Sequence, residues 1–303
     1  SLDIVLESIK QEDQQTFFLA IINFGAKTHK IFRAISQKRC KYGVTGAHAN
    51  GFFPEYEYPK FYKRVIKSFY NMTFFKRVSE NLIQKYFSNY FSLHGMNCAN
   101  YYALSGGSHA RVSGPIIGED TVIQHIHAHD YDLFSRHKHL INRKNNQNFI
   151  VFIDQAFPYH PDAGLYKRKS IDADEYYGDL KRFFNLVELQ TKLDVVIAAH
   201  PKADYNDKGS PFGSRKVISG DNSAELIANS KSVIMHYSTA INLVVLFKKQ
   251  TLFITTNMLD ATYRGGSIKA LSKYFNTTPL NINNFNDKII FPSVDETLYN
   301  DYK

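Results

Sequence analysis

Asp194-Val195-Val196-Ile197-Ala198-Ala199-His200-Pro201-Lys202 is an apolar run that stops abruptly at a histidine, a proline and a lysine. A continuous apolar run of strand length marks a strand covered on both faces, as in a parallel sheet with helices on either side. The same signature recurs at Phe149-Ile150-Val151-Phe152-Ile153-Asp154, Ser232-Val233-Ile234-Met235 and Thr251-Leu252-Phe253-Ile254-Thr255. Helical patterns over about 173–189, 223–229 and 240–247 separate these runs. Strands alternating with helices predict a parallel α/β sheet. In such sheets ligands gather beyond the carboxyl ends of the strands, which is where His200 and Lys202 fall.

Working outward, a second series precedes this one. Phe17–Phe24 reads as a buried parallel strand, Gly25 as a turn, and Thr28 as the cap of a helix to about Lys38. Residues 59–90 carry apolar side chains at about every fourth position and read as two amphipathic helices with basic outer faces. Tyr101–Ser105 is a strand ending in the Gly106-Gly107 turn, and Thr121–His127 is another. The polar stretch Asn142–Asn148 lacks periodicity and is the best linker. The expected organisation is two Rossmann-like domains, 1–145 and 146–303, facing a cleft.

The 303 residues suffice for two domains with large cores. No apolar run is long enough to span a membrane. Two cysteines, Cys40 and Cys98, exclude a disulfide scaffold and a four-cysteine zinc site, and fit a reducing compartment. The start at Ser1-Leu2-Asp3 has no basic leader and no initiator Met, so a trimmed or processed cytoplasmic chain is expected. The net charge of +9 is uneven: residues 1–150 hold 19 Lys/Arg against 11 Asp/Glu, and the rest 18 against 17. A basic first half suits an anionic partner or equally a solvated surface. A nucleic-acid-binding module would use the basic aromatic helices at 59–90, but no zinc-finger or RNA-binding signature accompanies them, and no nucleic acid is expected.

Three constellations carry candidate chemistry. The first is His200-Pro201-Lys202, a donor and a cation at a strand end that also suit a plain surface turn. The second is His236-Tyr237-Ser238-Thr239, closing a strand and opening a helix. Hydroxyls and free N–H groups there cradle a phosphate or simply cap the helix. Adjacent strands would bring His200 to Ser238 and Thr239. The third is His125-Ile126-His127-Ala128-His129-Asp130. On a strand these alternate residues share a face and suit zinc or iron ligation, or a substrate contact by His127 or His129.

The His-Pro and Ser/Thr pair resembles the motifs of bacterial sialyltransferases, polysialyltransferases and Kdo transferases, two-domain GT-B enzymes of surface polysaccharide assembly. The resemblance covers mainly residues 149–256. It implies that His200, Pro201, Ser238 and Thr239 bind the nucleotide of a CMP-sugar; Lys202 and His236, beside them, are further candidate nucleotide contacts, and a positive cradle of this kind needs no metal or other cofactor. A related arrangement occurs in teichoic-acid-type CDP-polyol phosphotransferases, so the motif leaves the donor class open. The Asp/Glu-Asp/Glu-Gly motif that supplies the base in those families is missing here. The nearest acids are Glu119-Asp120, Asp130, Asp132, Asp154 and Asp162, with Asp130 ranked first as base, Asp154 second and Asp132 third.

The expectation is a metal-independent GT-B glycosyltransferase moving an acidic sugar, nonulosonate or Kdo type, from CMP to a capsule, lipopolysaccharide or related glycan. His127, His129, Gly106 and Gly107 would line the substrate site. The basic first domain would hold a glycan or lipid-linked acceptor at the inner membrane face. The alternative is a metal-dependent hydrolase built on His125, His127, His129 and Asp130.

Overall fold

The computed structural model describes residues 2–22, 24, 28–45, 95–105, 116–140, 148–159, 171–201, 203, 205, 210–220, 222–285 and 287–302. The chain divides into two compact units, one of which reaches Ala128 and the other of which runs on from His129. This division lies ahead of the expected linker, whose residues 142–147 fall outside the described ones, as do the expected helices at 59–90. The reason is a helix, His129–His137, whose Leu133 and Phe134 pack into the core of the second unit. The Phe134 and Phe247 rings stand 5.0 Å apart.

Among the described residues of the first unit, four parallel strands lie in chain order: β1 (Phe17–Ala20), β2 (Lys41–Thr45), β3 (Tyr101–Ser105) and β4 (Val122–Ile126). Helices α1 (Leu2–Gln11) and α2 (His29–Gln37) accompany them. Phe32, Ile35, Tyr42 and Val44 form its core. The run from Phe17 is a parallel strand as expected, but it ends at Ala20 and is not buried throughout. Phe17 and Leu19 are 49% and 60% exposed, because only the alternate residues Phe18 and Ala20 face the core; the other face is open to solvent there, and Tyr101 of the interior strand β3, whose ring meets Phe17, is exposed on it as well. Thr28 precedes α2 but makes no side-chain cap bond to it.

The second unit is an all-parallel sheet of six strands in the order β10-β9-β8-β5-β6-β7. These are β5 (Phe149–Ile153), β6 (Asp194–Ala198), β7 (Val217–Ile218), β8 (Ser232–Met235), β9 (Gln250–Thr255) and β10 (Leu280–Asn281). Its helices among the described residues are α3 (His129–His137), α4 (Ala173–Thr191), α5 (Ser223–Asn229), α6 (Ile241–Leu246), α7 (Asn257–Asp260), α8 (Tyr263–Tyr274) and α9 (Glu296–Tyr302). Strand periodicity assigns the two faces. Ile150, Phe152, Ile234 and Leu252 meet Tyr176, Leu180, Phe184 and Val187 of α4. Val151, Ile153, Val233 and Phe253 meet Ala224 and Ile227 of α5 and Ile241, Val244 and Val245 of α6. Each fully buried side chain of this size contributes about 1.5–3 kcal/mol, so both faces of the central strand are fixed by strong burial.

Helix ends explain where elements stop. Asp172 caps α4 by accepting from the Glu175 N–H at 2.9 Å, and Lys192, left-handed at φ 58°, ends it. The buried Lys249 ammonium donates to the Ala228 and Ser230 carbonyls at 2.8 and 2.7 Å, satisfying the end of α5. Gly265, in the first turn of α8, lets that helix press on α7. A Cβ there would stand 2.5 Å from the Asp260 Cα and 2.9 Å from the Leu259 carbonyl oxygen. Both are backbone or near-backbone atoms that cannot swing aside. We therefore expect Gly265→Ala to lower the urea midpoint by the equivalent of about 1–3 kcal/mol, despite alanine's better helix propensity. A midpoint equal to or above that of the parent would show that α8 lifts away freely.

Candidate functional site

The chain leaves β5 toward β6 on one side of the sheet and leaves β8 toward β9 on the other, and the two strands are neighbours. That divergence is a topological switch point, and open α/β sheets bind their ligands at such a place, beyond the carboxyl ends of the strands, here β5 and β8. Three loops supply its side chains, after β5, β6 and β8, together with the start of α8.

Asp154 follows β5 and is only 2% exposed. Its carboxylate accepts from the Ala156 N–H at 2.9 Å, from the Tyr205 hydroxyl, and from the backbone N–H groups of His200 and Gln155. Burial pushes its pKa up, and these four hydrogen bonds oppose the rise. The network continues from the Tyr205 to the Tyr177 hydroxyl at 3.3 Å. Ala156 adopts φ 45°, a left-handed conformation costly for a residue with a Cβ. Gln155 Oε1 accepts from the Tyr237 N–H at 3.3 Å and links the β5 loop to the β8 loop.

His236, expected on the nucleotide, is fully buried. Its Nδ1 lies 2.8 Å from the Ile254 carbonyl and its Nε2 2.9 Å from the Tyr176 hydroxyl. The carbonyl can only accept, so the proton sits on Nδ1 and Nε2 accepts from the phenol. Neither nitrogen is left for a ligand. The ring is a strut between β8, β9 and α4.

Beyond it, Ser238 is half-buried, its Oγ accepting from the Ala240 N–H at 3.2 Å, and Thr239 is exposed. His200 is half-buried and Pro201 exposed, while Lys202 lies outside the described residues. One expectation needs correction. The strands carrying His200 and Ser238 are not adjacent, because β5 lies between β6 and β8. Two strand spacings, about 9.6 Å, separate the motifs, with the Asp154-Gln155 turn between them. Both remain on the carboxyl edge.

Asp130 does not end a strand of the first unit. It occupies the first turn of α3 and is buried. Its Oδ2 accepts from Asn242 Nδ2 at 2.6 Å, and the Tyr302 hydroxyl donates to Asn242 Oδ1 at 2.8 Å. Burial raises its pKa, offset by the Asn242 hydrogen bond and the charge of His129. Asp132 is exposed on the same turn. The six residues from His125 are not one strand: β4 ends at Ile126 and α3 begins at His129, so the imidazoles and carboxylate have no common face. Among the described residues no three His, Cys, Asp or Glu side chains converge as a metal set. His127 and His129 are exposed, and Gly106, Gly107 and Asp162 lie outside the described residues.

The sequence reading missed Arg264. It is 7% exposed, in the first turn of α8, with its N–H donating to the Thr262 Oγ1 cap at 3.1 Å. The guanidinium carbon stands 4.8 Å from the centroid of Phe157 and 5.4 Å from that of Tyr263. Phe157 in turn meets Tyr176, His236 and Tyr237 at 6.1, 5.3 and 6.1 Å. No ion pair reaches Arg264 among the described residues, whereas Arg215 pairs with Glu188 and Lys269 with Asp260. Cation–π contact offsets about 0.5–2 kcal/mol, less than the several kcal/mol it costs to bury an ion. A cap threonine and a cation two residues on are visible in a sequence; the missing counter-charge is not.

No protein-family model matches the chain, and no curated protein matches it. Among solved structures it is similar to the wall teichoic acid polymerase TagF, determined with CDPG, at 14% identity and a TM-score of 0.34. The match covers 94% of this chain and 61% of that one, so the chain spans less than two thirds of TagF. At this similarity no property of TagF transfers to it. What is established is a mixed α/β chain with two parallel sheets, in which no described helix is long and apolar enough to cross a membrane.

The His236 strut has a pH signature. Burial lowers its pKa from 6.5 to about 4, the Ile254 carbonyl partly offsetting the effect. As pH falls below 6.5 the unfolded chain takes up the proton first, so stability is lost down to about pH 4. The difference corresponds to roughly 3 kcal/mol. Urea midpoints should fall across this window. His236→Gln should be less stable at pH 7 but follow a flatter profile; an unchanged slope would remove His236 as the cause.

Proposed function

We propose that this chain is a GT-B glycosyltransferase that binds a CMP-linked acidic sugar, nonulosonate or Kdo type, on the carboxyl edge of its second sheet. The supporting observation is the placement of the His-Pro and Ser-Thr motifs after β6 and β8, on either side of the switch point at β5. In this reading the first unit holds a capsule, lipopolysaccharide or lipid-linked glycan acceptor. Its excess of basic residues would suit an anionic acceptor or the inner membrane face.

The reaction is a displacement at the anomeric carbon. The bond to the acceptor oxygen forms as the bond to the CMP phosphate breaks, and negative charge grows on the departing phosphate. His200 and the Ser238 and Thr239 hydroxyls stabilise that charge, a type of contact worth about 100-fold in rate for each donor. The acceptor proton passes to a carboxylate. Asp130 suits this role better than Asp154: burial raises its pKa, and among the described residues one of its oxygens, Oδ2, is engaged, by Asn242. Asp154 is sealed by its four donors and acts instead by setting the His200 backbone. Asp132 is the exposed second choice on the same turn.

A thermal-shift series with CMP, CDP, UDP and GDP tests the donor class. CMP at about 100 times its dissociation constant should stabilise by roughly 2.7 kcal/mol. A response to UDP or GDP without one to CMP would replace the donor. His200→Ala should cut turnover by about 100-fold in a folded protein. Asp130→Asn should abolish transfer with CMP binding intact, and Asp154→Asn should weaken CMP binding and lower the melting temperature. The reverse pattern would exchange the two roles.

A further inference from the structure

We propose that Arg264 is the anion receptor of the carboxyl-edge crevice and contacts the phosphate oxygens of the bound nucleotide. The identity of the ligand rests on the donor reading above; the need for an anion does not. A guanidinium does not lose its proton in a protein, so burial cannot neutralise it as it would a lysine. Yet Arg264 is more than nine-tenths buried and, among the described residues, meets two aromatic rings and no acid. The acids of the surrounding loops are committed elsewhere. Asp154 is taken by its four donors, and Asp260 by Thr255, Asn281 and Lys269.

The position is also built. Gly265 seats α8 against the backbone of α7, and Thr262 caps its first turn at Arg264. Phe157, under the guanidinium, is the ring that meets His236 and Tyr237, immediately before Ser238. The cation is thereby held beside the loop that carries the hydroxyls. α8 runs for twelve residues, and its first-turn amides add partial positive charge at the same place. A planar fork of N–H donors matches two oxygens of one phosphate, which an ammonium does not.

The experiment is calorimetric titration of CMP, cytidine and pyrophosphate into the full chain and into its Arg264→Met and Arg264→Lys variants, with melting temperatures of the free proteins. The expected result is CMP affinity reduced roughly 10- to 100-fold in Arg264→Met, with cytidine affinity unchanged. Arg264→Lys should fall in between; it keeps the charge without the fork, so it reports on the role even if the methionine variant does not fold. The free Arg264→Met protein should melt at or above the parent temperature, because an uncompensated cation has gone. Equal CMP affinity in parent and variants, or equal losses for CMP and cytidine, would overturn the assignment. If the parent binds pyrophosphate through Arg264 but no nucleotide, the receptor stands and the donor reading falls. If no probe binds the parent, both fall.

Discussion

The second unit is organised around a carboxylate that water does not reach. Asp154 ends a central strand whose two faces are sealed by α4 on one side and by α5 and α6 on the other, so its charge has nowhere to go but into hydrogen bonds. Those bonds come from the turn that follows it, from the β6 loop at His200, and from Tyr205. One side chain therefore sets the paths of two loops, and Gln155 beside it holds the third through the Tyr237 N–H. The left-handed Ala156 is tolerated because the same carboxylate holds its N–H.

The sheet of the second unit was readable because burial on both faces writes an uninterrupted apolar run. Ser232–Met235 matched residue for residue, and Phe149, Asp194 and Thr251 lay within one residue of strand starts. The same rule failed at Phe17, since an apolar run does not say whether both faces of its sheet are covered, and the open face leaves Phe17 and Leu19 outside. The His125–Asp130 pattern failed for a different reason. Alternation is meaningful only while the backbone stays extended, and α3 begins within the pattern. Strand order also lay beyond reach: the chain does not record that β8 returns to the far side of β5, which separates two motifs that looked adjacent.

Side-chain roles were less legible than side-chain positions. His236 and Ser238 stand two residues apart in one motif, yet one is a sealed strut and the other a half-buried loop hydroxyl. The difference comes from Tyr176 and Ile254, distant in sequence, which occupy both ring nitrogens. Asp130 was noticed for its neighbours in sequence, but its setting comes from Asn242 and Tyr302. Arg264 went unnoticed because its distinguishing property is that no acid pairs with it among the described residues. In each case the deciding fact is a contact between remote segments, which composition and spacing do not encode.

The order of strands in the second sheet also has a consequence for synthesis. β5 is the first strand of its sheet to leave the ribosome, and it pairs with β6 on one edge and β8 on the other. Until Ser232–Met235 has been made, the backbone N–H and C=O groups on that edge of β5 lack their partner strand, and a parallel pairing of such long range closes slowly. A nascent chain arrested between β6 and β8 would thus display the open ladder that invites pairing with other chains. The element that completes the central strand is followed at once by His236, Ser238 and Thr239, so the last of the three loops and the protection of β5 arrive in the same step of translation.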